Sequence, residues 1–260
     1  MGEFVMRRSV ILAAVAVMSL SSLGCMAGMG APPALTPADY AAVLAAPSRP
    51  ADDRARDEAR HTAETLAFAR VRPGQKIADM IIGGGYFTRV FAAAVGPQGR
   101  VTAWQPAEFI AFQASYGDSL TAVDALANVD GIRSPIATPD FPAGLDLVFT
   151  AQNYHDLHLS IAPADTASRV NTAVFRALKP GGLYVVIDHH AVAGSPLTSA
   201  NSVHRIDIDA VKREVMAAGF VLDGESDVLA NAADPRTANV FDGSIRGRTS
   251  QFMLRFRKPG

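Results

Sequence analysis

Cysteine is nearly absent. The sole thiol among 260 residues is Cys25, and it falls inside a leader-like segment. The body of the chain therefore has no disulfide, no thiolate nucleophile and no cysteine-ligated zinc. Net charge is nearly absent too: 24 basic and 25 acidic residues leave −1. That balance provides no field for holding a polyanion, which excludes nucleic acid as the expected partner. A membrane-length hydrophobic run is also missing. The apolar run at residues 10–20 is shorter than the ~20 residues a spanning helix needs, so no stable insertion is expected once the leader is removed. What is present is 49% hydrophobic and 19% charged residues, the composition of a globular chain that can bury one sizeable core.

The first 30 residues read as a signal peptide. Met6-Arg7-Arg8 supplies a charged start, the apolar run follows, and small residues at Gly24, Ala27 and Gly28 offer cleavage positions. The pattern predicts export to the periplasm or the medium. Cys25 after Leu23-Gly24 resembles a lipoprotein box, but Ser22 stands where leucine is usual, so a lipid anchor is the weaker alternative. Arg7-Arg8 is compatible with a twin-arginine signal and equally with the basic start of an ordinary one.

Residues 31–72 read as a Pro/Ala linker and helices that cover the domain to follow. Thr36-Pro37 is an N-cap with proline at N1, starting a helix to about residue 46. Residues 51–69 are helical in propensity, with Arg54, Asp57, Arg60, His61 and Glu64 at three- and four-residue spacing. Such a run is ordinarily a solvated face.

From residue 73 the pattern alternates strand and helix. Apolar runs at 76–82, 100–104, 132–136, 145–150 and 183–187 are separated by helical stretches at 86–95, 107–127 and 165–178. This is the signature of a parallel sheet with right-handed crossovers. A helix at 208–218, a strand at 220–225 and an alternating strand at 251–257 complete the chain. The fold class expected over 73–260 is α/β, a Rossmann-like doubly wound sheet of seven strands, mostly parallel with an antiparallel C-terminal strand.

Three consecutive glycines, Gly83, Gly84 and Gly85, fill the turn between the first strand and its helix. Glycine is required where the backbone takes positive φ or lies against a ligand, and the helix aims free N–H groups into the same gap. A dinucleotide fingerprint fails, because Thr88 occupies its last glycine position. Asp79 ahead of Gly83-x-Gly85 resembles instead the first motif of the class I S-adenosylmethionine (SAM) methyltransferases. Leu178-Lys179-Pro180-Gly181-Gly182 before an apolar strand, and the closing order of helix, Ala218-Gly219-Phe220, strand, loop and strand, resemble that family as well. Ile81 stands where the family carries a further glycine, and Gln105 where it carries the acid that binds the ribose. The resemblance implies SAM as cofactor, with Asp79, Gly83, Gly84, Gly85, Gln105, Asn153 and Tyr154 lining its site, and helices ahead of the glycine motif that cover the pocket, from which Arg54 or Arg60 would reach a substrate anion.

In an open parallel sheet the ligand crevice lies beyond the carboxyl ends of the strands. Residues 152–158 and 188–190 gather there, carrying four of the six histidines, and His204 follows in the next loop. His155 is the first candidate for a general base, with Asp156 or Asp188 orienting it and His189 beside them. On an extended strand His189 and His190 point oppositely, so at most one enters. A divalent metal held by His155, His158, Asp156, Asp188 and one neighbouring histidine is the competing use, not the favoured one. Three functions stay open: a methyltransferase for a small-molecule acceptor, a metal-assisted hydrolase or lyase on the same fold, and a non-catalytic binder of a small ligand.

Overall fold

Most strands of this protein are apolar on both faces, and their pairing follows from that. β1 (Lys76–Met80), β2 (Arg100–Pro106), β3 (Val129–Ser134), β4 (Leu145–Ala151) and β5 (Leu178–His189) run parallel, while β6 (Val221–Ser226) and β7 (Gln251–Arg257) add an antiparallel hairpin. The strand order is β3-β2-β1-β4-β5-β7-β6. The computed structural model that shows this describes residues 1–2 and 34–260, so the predicted leader with Cys25 lies almost wholly outside the described residues. Among the described residues no helix is long and apolar enough to cross a membrane.

Side-chain alternation sorts the core onto two faces of the sheet. Ile77, Val101, Leu147, Phe149 and Val185 meet the helix Tyr86–Val95 through Val90 and Phe91. On the other face Ala78, Met80, Val148, Tyr184 and Val186 meet the helices Thr166–Ala177 and Ile208–Ala217 through Val170, Val174, Val211 and Val215. Each such side chain, fully removed from water, contributes roughly 1.5–3 kcal/mol. Register then brings Met80 level with Trp104 and Thr150, so β2 and β4 run on past the end of β1 and flank the turn that follows it. Because the chain turns from β1 to β2 on one side and returns to β4 on the other, the switch point lies at the end of β1.

Several boundaries differ from the sequence pattern. β3 spans 129–134 rather than 132–136; Val129 pairs with Val101, and Pro135, lacking an N–H, ends the ladder. The helix expected over 107–127 is broken into Ala107–Phe112 and Ser115–Asp124 by an extended Gln113 (φ −143°). Pairing of β5 begins at Leu178 with a register shift opposite β4, so 179–182 form an irregular strand start in which Gly181 takes φ 77°. The helix expected over 51–69 becomes Ala51–Arg54 and Thr62–Phe68, with left-handed His61 between them. Tertiary bonds hold that break. Asp53 accepts from Arg89 at 2.6 Å, while Asp57 accepts from Arg49 at 2.6 Å and from the Tyr86 hydroxyl at 2.5 Å.

The long connection 227–250 is pinned from beneath. Arg205, with its side chain fully buried, meets Asp234 in two bonds of 2.8 and 3.1 Å and donates to the carbonyls of Ala238 and His190.

Candidate active site

Beyond Met80 the backbone turns left-handed at Ile81 (φ 59°), Gly83 (φ 54°) and Gly85 (φ 75°) before the helix begins at Tyr86. A β-branched residue at positive φ is a genuine outlier. Ile81 therefore keeps the conformation that a glycine would allow, at a cost of order 1–3 kcal/mol, offset by burial of its side chain. A Cβ at Gly83 or Gly84 would meet nothing within 4 Å, whereas one at Gly85 would come within 2.6 Å of Val123. The first two glycines thus open onto space and the third permits close packing.

Asp79 sits under this loop, buried, accepting a 2.6 Å bond from the Thr88 hydroxyl. Burial pushes its carboxyl up to about 7, with Thr88 opposing. Gln105 is fully buried, and its Oε1 accepts from the Gly83 amide at 3.0 Å while its Nε2 has no partner. Its carbonyl is engaged by the loop, and Gln105 is not among the residues lining the cavity.

The histidine cluster forms where β4 and β5 end. His155 Nδ1 lies 2.9 Å from Asp188 Oδ1, and its Nε2 lies 3.3 Å from Asp156 Oδ1. Burial alone would lower this imidazole, but Asp188 and Asp156 together raise it to about 9. The two carboxylates thus favour the protonated ring, which makes His155 a poorer general base than its place in the loop suggests. His189 behaves oppositely: burial brings it down to about 4, and its Nδ1 bonds with the Thr249 hydroxyl at 2.8 Å. His204, left-handed at φ 53°, stands edge-on to His155 with ring centroids 5.4 Å apart.

These groups wall a cavity of about 610 Å³ with Asp79, Gly83, Gly84, Asn153, Phe109, Phe112 and Tyr116. A second chamber of about 550 Å³ adjoins it, sharing Arg56, Arg60, Phe87 and His189 and adding Arg246, Thr249 and Gln251. Its lining contains three arginines and no carboxylate. Arg60 lies over the Tyr86 ring at 4.6 Å and has no ion-pair partner among the described residues, nor does Arg246.

Of the residues expected here, Asp79, Gly83, Gly84, Asn153, His155, Asp156 and His189 line the first cavity, and Asp188 supports His155 from behind. Asn153 steadies the loop by donating to the Ile81 carbonyl at 2.8 Å. Tyr154 is elsewhere: its ring is fully buried and its hydroxyl bonds to Glu214 (2.9 Å) and Asn171 (2.8 Å), because the short turn after β4 points successive side chains in different directions. His158 also turns to Glu214, at 3.0 Å, and His190 packs on Phe252. Arg54 bonds the Arg49 carbonyl, leaving Arg60 as the arginine that reaches the crevice. Arg56, Arg246 and Phe241 were not legible as site residues; they come from segments nearly 190 positions apart and carry no local motif.

The residues present suit a sulfonium nucleoside. The volume lies in the range of small-molecule sites. Two glycines leave backbone accessible, an acid lies at the loop, and Phe109, Phe112 and Tyr116 offer flat surfaces for a base.

No family profile matches the chain. Over 147 residues it is 27% identical to the ubiquinone/menaquinone biosynthesis C-methyltransferase UbiE of Burkholderia mallei, covering 55% of each chain. The chain thus spans about half the length of the curated relatives it matches. Among solved structures, a SAM-dependent methyltransferase from Aquifex aeolicus superposes with a TM-score of 0.54 at 17% identity, covering 86% of this chain and 98% of that one. The [4+2]-cyclase SpnF superposes with a TM-score of 0.55 at 17% identity, covering 80% and 81%. The chain thus has the fold of the class I SAM-dependent methyltransferases, with its elements in the same order.

Proposed function

We propose that this protein is a SAM-dependent methyltransferase whose acceptor is a small molecule carrying an anionic group, and that it acts after export. The observation that carries the reading is the open floor at Gly83 and Gly84, where backbone and the buried Asp79 face a chamber large enough for the methyl donor. When bound, SAM supplies an electrophilic methyl on a cationic sulfur. Sequence similarity to C-methyltransferases supports the same reaction class.

The chain's own residues would then divide the work. Gly83, Gly84 and the aromatic wall hold the donor, and Asn153 keeps the Ile81 turn in place. Arg60, Arg56 and Arg246 attract and orient the acceptor's acidic group in the adjoining chamber, a positioning role that brings acceptor and methyl into line. His189 is the neutral ring between the two chambers; in the tautomer that donates Nδ1–H to Thr249, Nε2 keeps its lone pair and takes the acceptor's proton. His155, held between two carboxylates that favour its protonated form, is the weaker candidate for the base.

Calorimetry with SAM and S-adenosylhomocysteine tests the reading. Micromolar binding that disappears in Gly83→Val supports it, and absence of binding to either compound removes it. Turnover of a panel of small acceptors with labelled SAM tests the acidic group: acids should react and their neutral amides should not, and Arg60→Gln should raise KM at least tenfold with little change in kcat. Fractionation of the native host tests export.

A further inference from the structure

The geometry points to a divalent-metal site formed by His155 Nε2, the Asp156 carboxylate and a ring nitrogen of His204, open to the glycine-floored chamber and selective for a first-row transition cation of the zinc or iron(II) type. The inference does not depend on the methyl-donor reading.

One donor atom from each of the three residues lies within 4.8 Å of the others, so a single ion can be reached by all three with small rotations. The closest pair, His155 Nε2 and Asp156 Oδ1, is separated by 3.3 Å. Two donors each at ~2.1 Å from one ion stand roughly 3.0–3.4 Å apart at octahedral or tetrahedral angles. The remaining contacts fit the same role. Asp188 accepts the Nδ1 proton of His155 at 2.9 Å, the outer carboxylate that fixes the tautomer and orientation of a ligating imidazole. The His204 ring stands edge-on to the rings of His155 and Phe241 and makes no side-chain hydrogen bond among the described residues. Among the described residues the Asp156 carboxylate has no polar side-chain partner other than His155. Two half-buried polar groups would thus face a charged neighbour across a gap that a cation fills.

Two imidazoles and one carboxylate form a ligand set with open positions, suited to Zn²⁺ or Fe²⁺ and poorly suited to Mg²⁺ or Ca²⁺, which take oxygen ligands. Because His155, Asp156 and His204 all line the first chamber, the open positions face its contents.

The test uses the purified full chain after chelator treatment and dialysis. Titration with ZnCl₂ should show one ion per chain with micromolar or tighter affinity, unchanged by millimolar Ca²⁺. Asp156→Asn and His204→Asn, the latter chosen because asparagine tolerates left-handed backbone, should each weaken it at least tenfold, and Asp188→Asn about 10–100-fold. Pulsed EPR of the Cu²⁺-loaded wild type supplies a check that needs no variant, and two coordinated imidazoles are expected. No zinc binding, equal binding in both ligand variants, or fewer than two coordinated imidazoles overturns the site. A parallel S-adenosylhomocysteine titration keeps the two readings apart: donor binding without zinc overturns only this inference, and zinc without donor binding leaves it standing.

Discussion

Asp79→Asn separates the chemistry of the loop floor from its shape. The carboxyl is buried, and burial raises it from the usual 3.8 to about 7. A carboxyl whose folded pKa lies above its unfolded one holds its proton longer in the native state. Stability is therefore greatest below about pH 4 and is lost as pH rises toward 7, beyond which the loss is complete. At 1.36 kcal/mol per unit, the part of this window between pH 5 and pH 8 is worth about 2–3 kcal/mol. Asparagine does not titrate, and its Oδ1 can still accept from the Thr88 hydroxyl that now bonds Asp79 at 2.6 Å. Urea unfolding of wild type and Asp79→Asn at both pH values gives a double difference in which every other titrating group cancels. The variant should gain about 2–3 kcal/mol on the wild type between pH 5 and pH 8. A double difference of zero would show that water or a rearranged loop solvates the carboxylate, and a difference of opposite sign would show a cation beside it; either outcome refutes the argument.

Other expectations follow from single contacts. Gly83→Val places a branched side chain at φ 54°, which costs roughly 1–2 kcal/mol, and differential scanning calorimetry should show a Tm lower by about 2–8 °C. Tyr154→Phe leaves Glu214 and Asn171 without the hydroxyl they share, a loss of about 1–3 kcal/mol in chemical denaturation with donor affinity unchanged. Asp234→Ala strands the buried Arg205 guanidinium and should cost about 3–5 kcal/mol, with faster hydrogen exchange across 227–250; exchange unchanged there would show that the ion pair does not hold the loop.

Sequence reasoning succeeds where burial alone decides the local pattern. The continuous apolar runs of β1, β4 and β5 and the alternation of β7 are consequences of packing on one or both faces, and they are visible without knowledge of neighbours. It fails where a distant partner decides. β3 contains Asp130 and Gly131, poor strand formers, and is set in register by β2. The 51–69 helix breaks because Asp53 and Asp57 are held by Arg89, Arg49 and Tyr86. The site divides the same way. The glycine turn and the Asp188–His155 pairing could be anticipated from the ends of consecutive strands, and His204 from its loop. Of the arginine-lined chamber only Arg60 could, since its other arginines come from Arg56 ahead of the sheet and Arg246 near its last strand, joined only by the fold. The charge of His155 could not be read either, because its two carboxylates act on it only once folded.

Arg205 grips the 227–250 connection at Asp234 and Ala238, while Val240, Phe241 and Arg246 further along it border the crevice. Phe241 is 60% exposed, so its side chain carries little of the folding energy. Anchorage and recognition thus occupy different parts of one segment. If the proposed acceptor chamber is the right one, acceptor preference would drift most freely at the exposed positions 241–244, 246 and 247, with buried Val240 and Ile245 kept, which makes those positions the place to randomise when a new acceptor is sought.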